Sequence, residues 1–203
     1  LNVLNDTSHL HSAGGDPSAA PGLTLILGGA RSGKSHYAQH LAETISSGAV
    51  LFVATAEAHD SEMERRIADH KRARPPHWHT LEAPRGVGRA ILEIAQTGER
   101  FGAILIDCLT VLTSNLLMDA DDVFSDEIEQ AVMEEVHEVI ACAEQLPVPV
   151  IVVSNEVGCG LVPPYPLGRV YRDLLGRANQ ILARAADRVI LLVAGIPRTM
   201  KGG

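Results

Sequence analysis

Basic charge is scarce in this chain. Only 17 lysines and arginines stand against 25 aspartates and glutamates, a net charge of −8. Nucleic acids and anionic membranes both favour basic surfaces, so neither is an expected partner. Cysteine is scarce too. Cys108, Cys142 and Cys159 share no spacing of a metal site or a disulfide framework, which suits a reducing cytoplasm. No apolar run approaches the ~18 residues of a membrane span. Nor does a basic-then-apolar leader open the sequence. A cytoplasmic location is therefore the expectation. What remains is ordinary material for a buried core: 203 residues, 46% hydrophobic and 21% charged, enough for one large domain.

The strongest signal is Gly28-Gly29-Ala30-Arg31-Ser32-Gly33-Lys34-Ser35, a G-x-x-x-x-G-K-S phosphate-binding loop. It sits between an apolar run, Leu23–Leu27, that reads as a buried strand, and a stretch from Lys34 to about Ser46 that reads as a helix. Glycines there let backbone N–H groups wrap a triphosphate, because they tolerate positive φ and carry no Cβ. Lys34 can reach the β- and γ-phosphates, Ser35 can ligate Mg²⁺, and the helix N-terminus adds its positive dipole end. The pattern predicts nucleotide binding.

Downstream, the short apolar runs 50–54, 103–106, 148–153 and 189–193 lack alternation, as strands covered on both faces do. Helical stretches are expected between them: Ser61 to Arg74, opened by a capping box of Ser61 and Glu64, then Ser125 to Leu146 and Leu167 to Ala186. The fold class is thus α/β, a single three-layer P-loop NTPase-like domain with a mainly parallel central sheet. Residues 1–21 are rich in Ser, Asp, Asn, Ala, Gly and Pro without periodicity. They read as a disordered extension or an expression remnant, leaving 22–203 as the domain.

A second phosphate-site element should be a buried strand ending in an acid. Ile104-Leu105-Ile106-Asp107 supplies one, with Asp107 at the strand's C-terminal end, where α/β sheets place their ligand crevice. Asp107 can hold Mg²⁺ or its waters opposite Ser35, or it can cap a following helix. Asn155 and Glu156 end the 148–153 run in the same way. Glu156 fits a base, a group beside a metal, or a turn cap.

His70 falls three residues after Ile67 and seven after Met63, on one helical face, among Arg65, Arg66, Lys71, Arg72 and Arg74. A histidine among cations suits a phosphate site, and the cations favour the neutral, nucleophilic imidazole. The same residues also fit a solvated basic face with His70 packed on Met63.

Taken together the chain resembles the bifunctional adenosylcobinamide kinase / adenosylcobinamide-phosphate guanylyltransferase family of cobalamin biosynthesis. The resemblance lies in GGARSGKS at Gly28–Ser35, ATA at Ala54–Ala56, HKRARPPHW at His70–Trp78 and TLE at Thr80–Glu82. It continues in IDCLT at Ile106–Thr110, SNEVGCGLVP at Ser154–Pro163 and YRDLLGRANQ at Tyr171–Gln180. It implies two reactions: phosphorylation of adenosylcobinamide from ATP or GTP, then transfer of GMP from GTP to adenosylcobinamide phosphate. It implies that His70 carries the GMP covalently, and that Ala54, Thr55, Ala56, Lys71, Arg72, Ala73, Arg74, Glu82 and Asp107 contact nucleotide. It also implies a homotrimer with active sites between subunits. Two other classes fit the P-loop: a monofunctional small-molecule kinase and a GTP-binding regulatory module.

Overall fold

A computed structural model describes residues 22–46, 48–57, 65, 71–72 and 74–202. Its centre is a seven-stranded sheet. In chain order the strands are β1 (Leu23–Gly28), β2 (Val50–Ala54), β3 (His79–Glu82), β4 (Ala103–Asp107), β5 (Val150–Asn155), β6 (Arg188–Val193) and β7 (Ile196–Lys201). Across the sheet they run β3-β2-β4-β5-β1-β6-β7. All pairs are parallel except the closing hairpin of β6 and β7. The mainly parallel α/β architecture expected from the apolar runs is the one found. No described helix is long and apolar enough to cross a membrane.

Five helices connect the strands among the described residues: α1 (Lys34–Ile45), α2 (Val87–Gln96), α3 (Leu109–Asp119), α4 (Asp126–Gln145) and α5 (Pro166–Ala185). Helix α4 starts with the acids Asp126, Glu127 and Glu129 in its first turn, which complement the helix dipole. Helix α5 starts on Pro166, whose fixed φ suits a first helical position. Helix α2 has neither device. Its N-cap is Gly86 in the left-handed region, and a carboxylate from α4 serves instead: Gly86 N–H donates to Glu135 Oε1 and Val87 N–H to Oε2 at 3.2 Å. The two helices meet at Gly88, where a Cβ would lie 2.4 Å from the Glu138 carbonyl oxygen.

Alternating side chains divide the core in two. On one face Leu25, Leu51, Val53, Ile104, Ile106, Val150 and Val152 pack under α2 to α5. On the other, Ile26, Phe52, Leu105, Ile151 and Val153 pack with Ala38 and Ala42 of α1 and with Trp78. The expected helix from Ser61 to Arg74, with its Ser61–Glu64 box, falls largely outside the described residues; within it Arg65, Lys71 and Arg72 are helical.

Candidate functional site

The phosphate loop is built mainly from backbone. Arg31 and Gly33 turn through positive φ, 57° and 90°, a conformation glycine adopts without penalty. Ser32 N–H donates to Gly29 O at 3.3 Å, and the Ser32 carbonyl accepts from Gly195 N–H at 2.9 Å. Gly195 lies in the β6–β7 turn, where Ala194 and Gly195 both have positive φ; the sheet's edge hairpin thus braces the loop. At Gly28 a Cβ would lie 2.4 Å from Ser32 Oγ and 2.8 Å from the Leu192 carbonyl oxygen, so only glycine fits. Helix α1 begins at Gly33 with no side-chain cap and no acid in its first turn. Its first N–H groups and dipole are left for an anion.

Lys34 is 9% exposed and donates to the Gly29 carbonyl at 3.1 Å. Burial lowers its pKa, while the neighbouring Cys108 and Asp107 pull it back up. Asp107 ends β4 at the same edge of the sheet at which β1 runs into the phosphate loop, with β5 between the two strands. It stands directly before Cys108, the N-cap of the next helix. With Ser35, Asp107 offers the hard oxygen ligands that Mg²⁺ takes.

What holds Asp107 is Thr55. Thr55 is fully buried, and its hydroxyl donates to the Cys108 carbonyl and accepts from Cys108 N–H, both at 2.8 Å. Thr55 N–H also donates to the Asp107 carbonyl at 3.4 Å. The buried Asn115 of α3 donates to the carbonyls of Thr55, at 2.8 Å, and Pro84, at 3.1 Å. Burial pushes the Cys108 thiol up to about 11.

Register brings the remaining residues to the same sheet edge. Ala54 stands opposite both Glu82 of β3 and Asp107 of β4. Lys71 pairs with Glu82. Arg74 lies 3.5 Å over the Phe52 ring and reaches Thr80 Oγ1 at 3.4 Å; its pKa falls through burial and is raised in opposition by Asp107 and Glu82. Trp78 stacks on Phe52 with ring centroids 6.3 Å apart. Ala56 follows Thr55 on the same rim, half-buried, and Arg72 is exposed. His70 and Ala73 lie outside the described residues.

His79 opens β3, at the opposite end of the strand from Glu82, beside Glu99 and Phe101. Glu156 accepts from Gly158 N–H at 2.8 Å, which is a turn cap. Sequence reasoning missed Asn115 and Gly195. Asn115 follows Thr113 and Ser114 in a helix that is otherwise mostly apolar, and Ala194-Gly195 follows directly on the apolar run of β6.

The comparisons agree with this geometry. Residues 24–200 match the family model described as cobinamide kinase / cobinamide phosphate guanyltransferase. The bifunctional adenosylcobalamin biosynthesis protein CobP of Pseudomonas aeruginosa is 44% identical over 178 residues, covering 88% of this chain and 96% of that protein. The bifunctional CobU proteins of Escherichia coli and Salmonella typhimurium are 41% and 40% identical over 180 residues, each covering 86% of this chain and 97% of the relative. With a nucleotide loop, a facing acid strand and near-complete coverage of these relatives, this chain belongs to the cobinamide kinase / cobinamide phosphate guanyltransferase family.

Proposed function

We propose that residues 22–203 form one domain that carries out both reactions. It phosphorylates the hydroxyl of adenosylcobinamide with ATP or GTP, and then transfers GMP from GTP through His70 to give adenosylcobinamide-GDP. The observation that carries this reading is the shared edge: the bare α1 N-terminus and Lys34 on one side, and Asp107, Glu82, Lys71 and Arg74 on the other. Neither the monofunctional kinase nor the regulatory module finds support among the relatives.

In the kinase step the loop N–H groups (Gly28 to Ser35) cradle the phosphates. Lys34 neutralises the β- and γ-oxygens, where transition-state charge gathers. Mg²⁺, when bound, neutralises phosphate charge, and Ser35 and Asp107 are the residues that would hold it; the oxygen donor set fits that ion.

In the second step the His70 imidazole attacks the α-phosphorus of GTP. The P–N bond forms, the α–β P–O bond breaks, and pyrophosphate leaves. A phosphate oxygen of adenosylcobinamide phosphate then attacks the same phosphorus and releases the imidazole. Lys71, Arg72 and Arg74, with Ala54, Thr55, Ala56 and Glu82, would receive this nucleotide. The working assembly is a cytoplasmic homotrimer with sites between subunits, which sedimentation velocity measures.

The test is covalent labelling. Protein denatured after reaction with α-labelled GTP retains the label, whereas γ-label leaves with pyrophosphate. The adduct is acid-labile and base-stable, as a phosphoramidate is. His70→Ala abolishes labelling and guanylyl transfer but leaves the kinase step, which needs no covalent carrier. His77→Ala and His79→Ala keep the label. Label retained in His70→Ala overturns the assignment.

A further inference from the structure

Strand β5 separates the phosphate loop from Asp107. It lies between β1 and β4, and the registers set Asn155 beside Gly28 and Val153 beside Asp107. Along the strand, Ile151 and Val153 face the α1 layer. Ser154 faces the other way, donating its hydroxyl proton to Asn179 Oδ1 at 2.7 Å. By alternation Asn155 follows Val153 onto the α1 face. There it is half-buried, next to a residue that has no side chain of its own.

Its backbone is held by side chains from two helices. Asn155 N–H donates to Thr110 Oγ1 at 2.7 Å, and its carbonyl accepts from Asn179 Nδ2 at 2.9 Å. Asn179 is 5% exposed and Ser154 fully buried. Tyr171 closes the set by donating to the Thr110 carbonyl at 3.3 Å. The adjoining Glu156 N–H donates to the Gly28 carbonyl at 3.0 Å, tying this strand end to the phosphate loop. A buried polar network is costly unless fully satisfied, and this one fixes the backbone of Asn155 at the sheet edge, beside Gly28 and two residues beyond the partner of Asp107.

We propose that Asn155 is a further catalytic residue of phosphoryl transfer, its side-chain amide donating a hydrogen bond to the γ-phosphoryl group of the bound nucleoside triphosphate. The inference rests on the kinase reading above. In that step the bond from the γ-phosphorus to the bridging oxygen breaks, the bond to the acceptor oxygen forms, and the hydroxyl proton passes to solvent. Charge spread over the γ-oxygens during transfer is stabilised by a donor already in place. An amide supplies that donor without adding a second cation beside Lys34, and it holds no proton that titrates near neutral pH.

The test uses the full chain with Asn155→Ala, Asn155→Ser and Asn155→Asp. Because Thr110 and Asn179 bond the backbone of residue 155, these substitutions leave the network in place. Phosphorylation of adenosylcobinamide from γ-labelled GTP should fall about 100-fold in kcat for Asn155→Ala, with KM for GTP within about threefold. Equilibrium binding should show a narrowed preference for GTP over GDP with GDP affinity unchanged, and Asn155→Asp should lose the most GTP affinity through charge repulsion. A kcat within about threefold of the parent chain, together with an unaltered GTP-to-GDP ratio in the Ala and Ser variants, overturns the proposal. Should the parent chain phosphorylate no adenosylcobinamide, the kinase reading fails, while the GTP-to-GDP ratio still decides the contact at Asn155.

Discussion

The two sides of the site are made differently. The phosphate loop is one contiguous stretch whose shape lies in backbone torsions, with positive φ at Arg31 and Gly33 and a helix start left uncapped. The opposing side is assembled from β2, β3 and β4 and is held by side-chain bonds, with Thr55 at its centre. A backbone-shaped site takes its chemistry from a few side chains that add little to stability. In a site held by side chains, one group can serve fold and function together.

Substitutions on each side sharpen that contrast. The largest effect is expected at Lys34. Lys34→Ala removes the charge on the β- and γ-oxygens and should cut the kinase rate about 100-fold or more. The melting temperature should barely move, because the charge removed is one that burial already disfavours. Equal losses of melting temperature and rate would show that the loop is not shaped by its backbone. Across the site, Asp107→Asn keeps the shape and removes a charge. It should raise the Mg²⁺ concentration needed for half-maximal activity by roughly tenfold, within the range found when support of a metal site is lost. An unchanged Mg²⁺ titration would take the ion away from Asp107.

The smallest effect on the chemistry, and a larger one on the fold, is expected at Thr55. Thr55→Val leaves the Cys108 N–H and carbonyl without their hydroxyl partner, at a cost of about 1–3 kcal/mol. Thermal melting should register this as a drop of several degrees, with Thr55→Ser restoring it. A melting temperature unchanged in the valine variant would mean that Asp107 is held by something other than the Thr55 hydroxyl.

The same contrast explains what was legible beforehand. Strand β1, the loop and α1 read directly from the sequence because one contiguous motif carries them, and the Asp107 strand was legible through its apolar run. Four elements were not. Strand β3, His79–Glu82, is mostly exposed, and β7, Ile196–Lys201, is an exposed edge containing a proline and charges; neither has the apolar run that marked the other strands. Helix α3 interrupts its leucines with Thr110, Thr113, Ser114 and Asn115, and it buries Asn115, whose partners are 60 and 31 residues away. Helix α2 has no start signal in its own stretch. At β5 the expected 148–153 shifted to Val150–Asn155, because the strand runs on through polar residues satisfied by α3 and α5. In the site, Thr55 stood out only through the family resemblance, since its bonds to Cys108 span 53 residues.

Helix α2 carries that last point into folding. The two N–H groups at its start are satisfied by Glu135, 48 and 49 residues further along the chain, and its close approach to α4 depends on Gly88. An isolated ten-residue helix is marginal in water, and this one lacks even a local cap. It becomes worth forming only when α4 is already alongside, so the two helices gain order as one cooperative unit whose closing contact is long in sequence. The amide hydrogens of α2 should therefore report, by hydrogen exchange, whether α4 is docked.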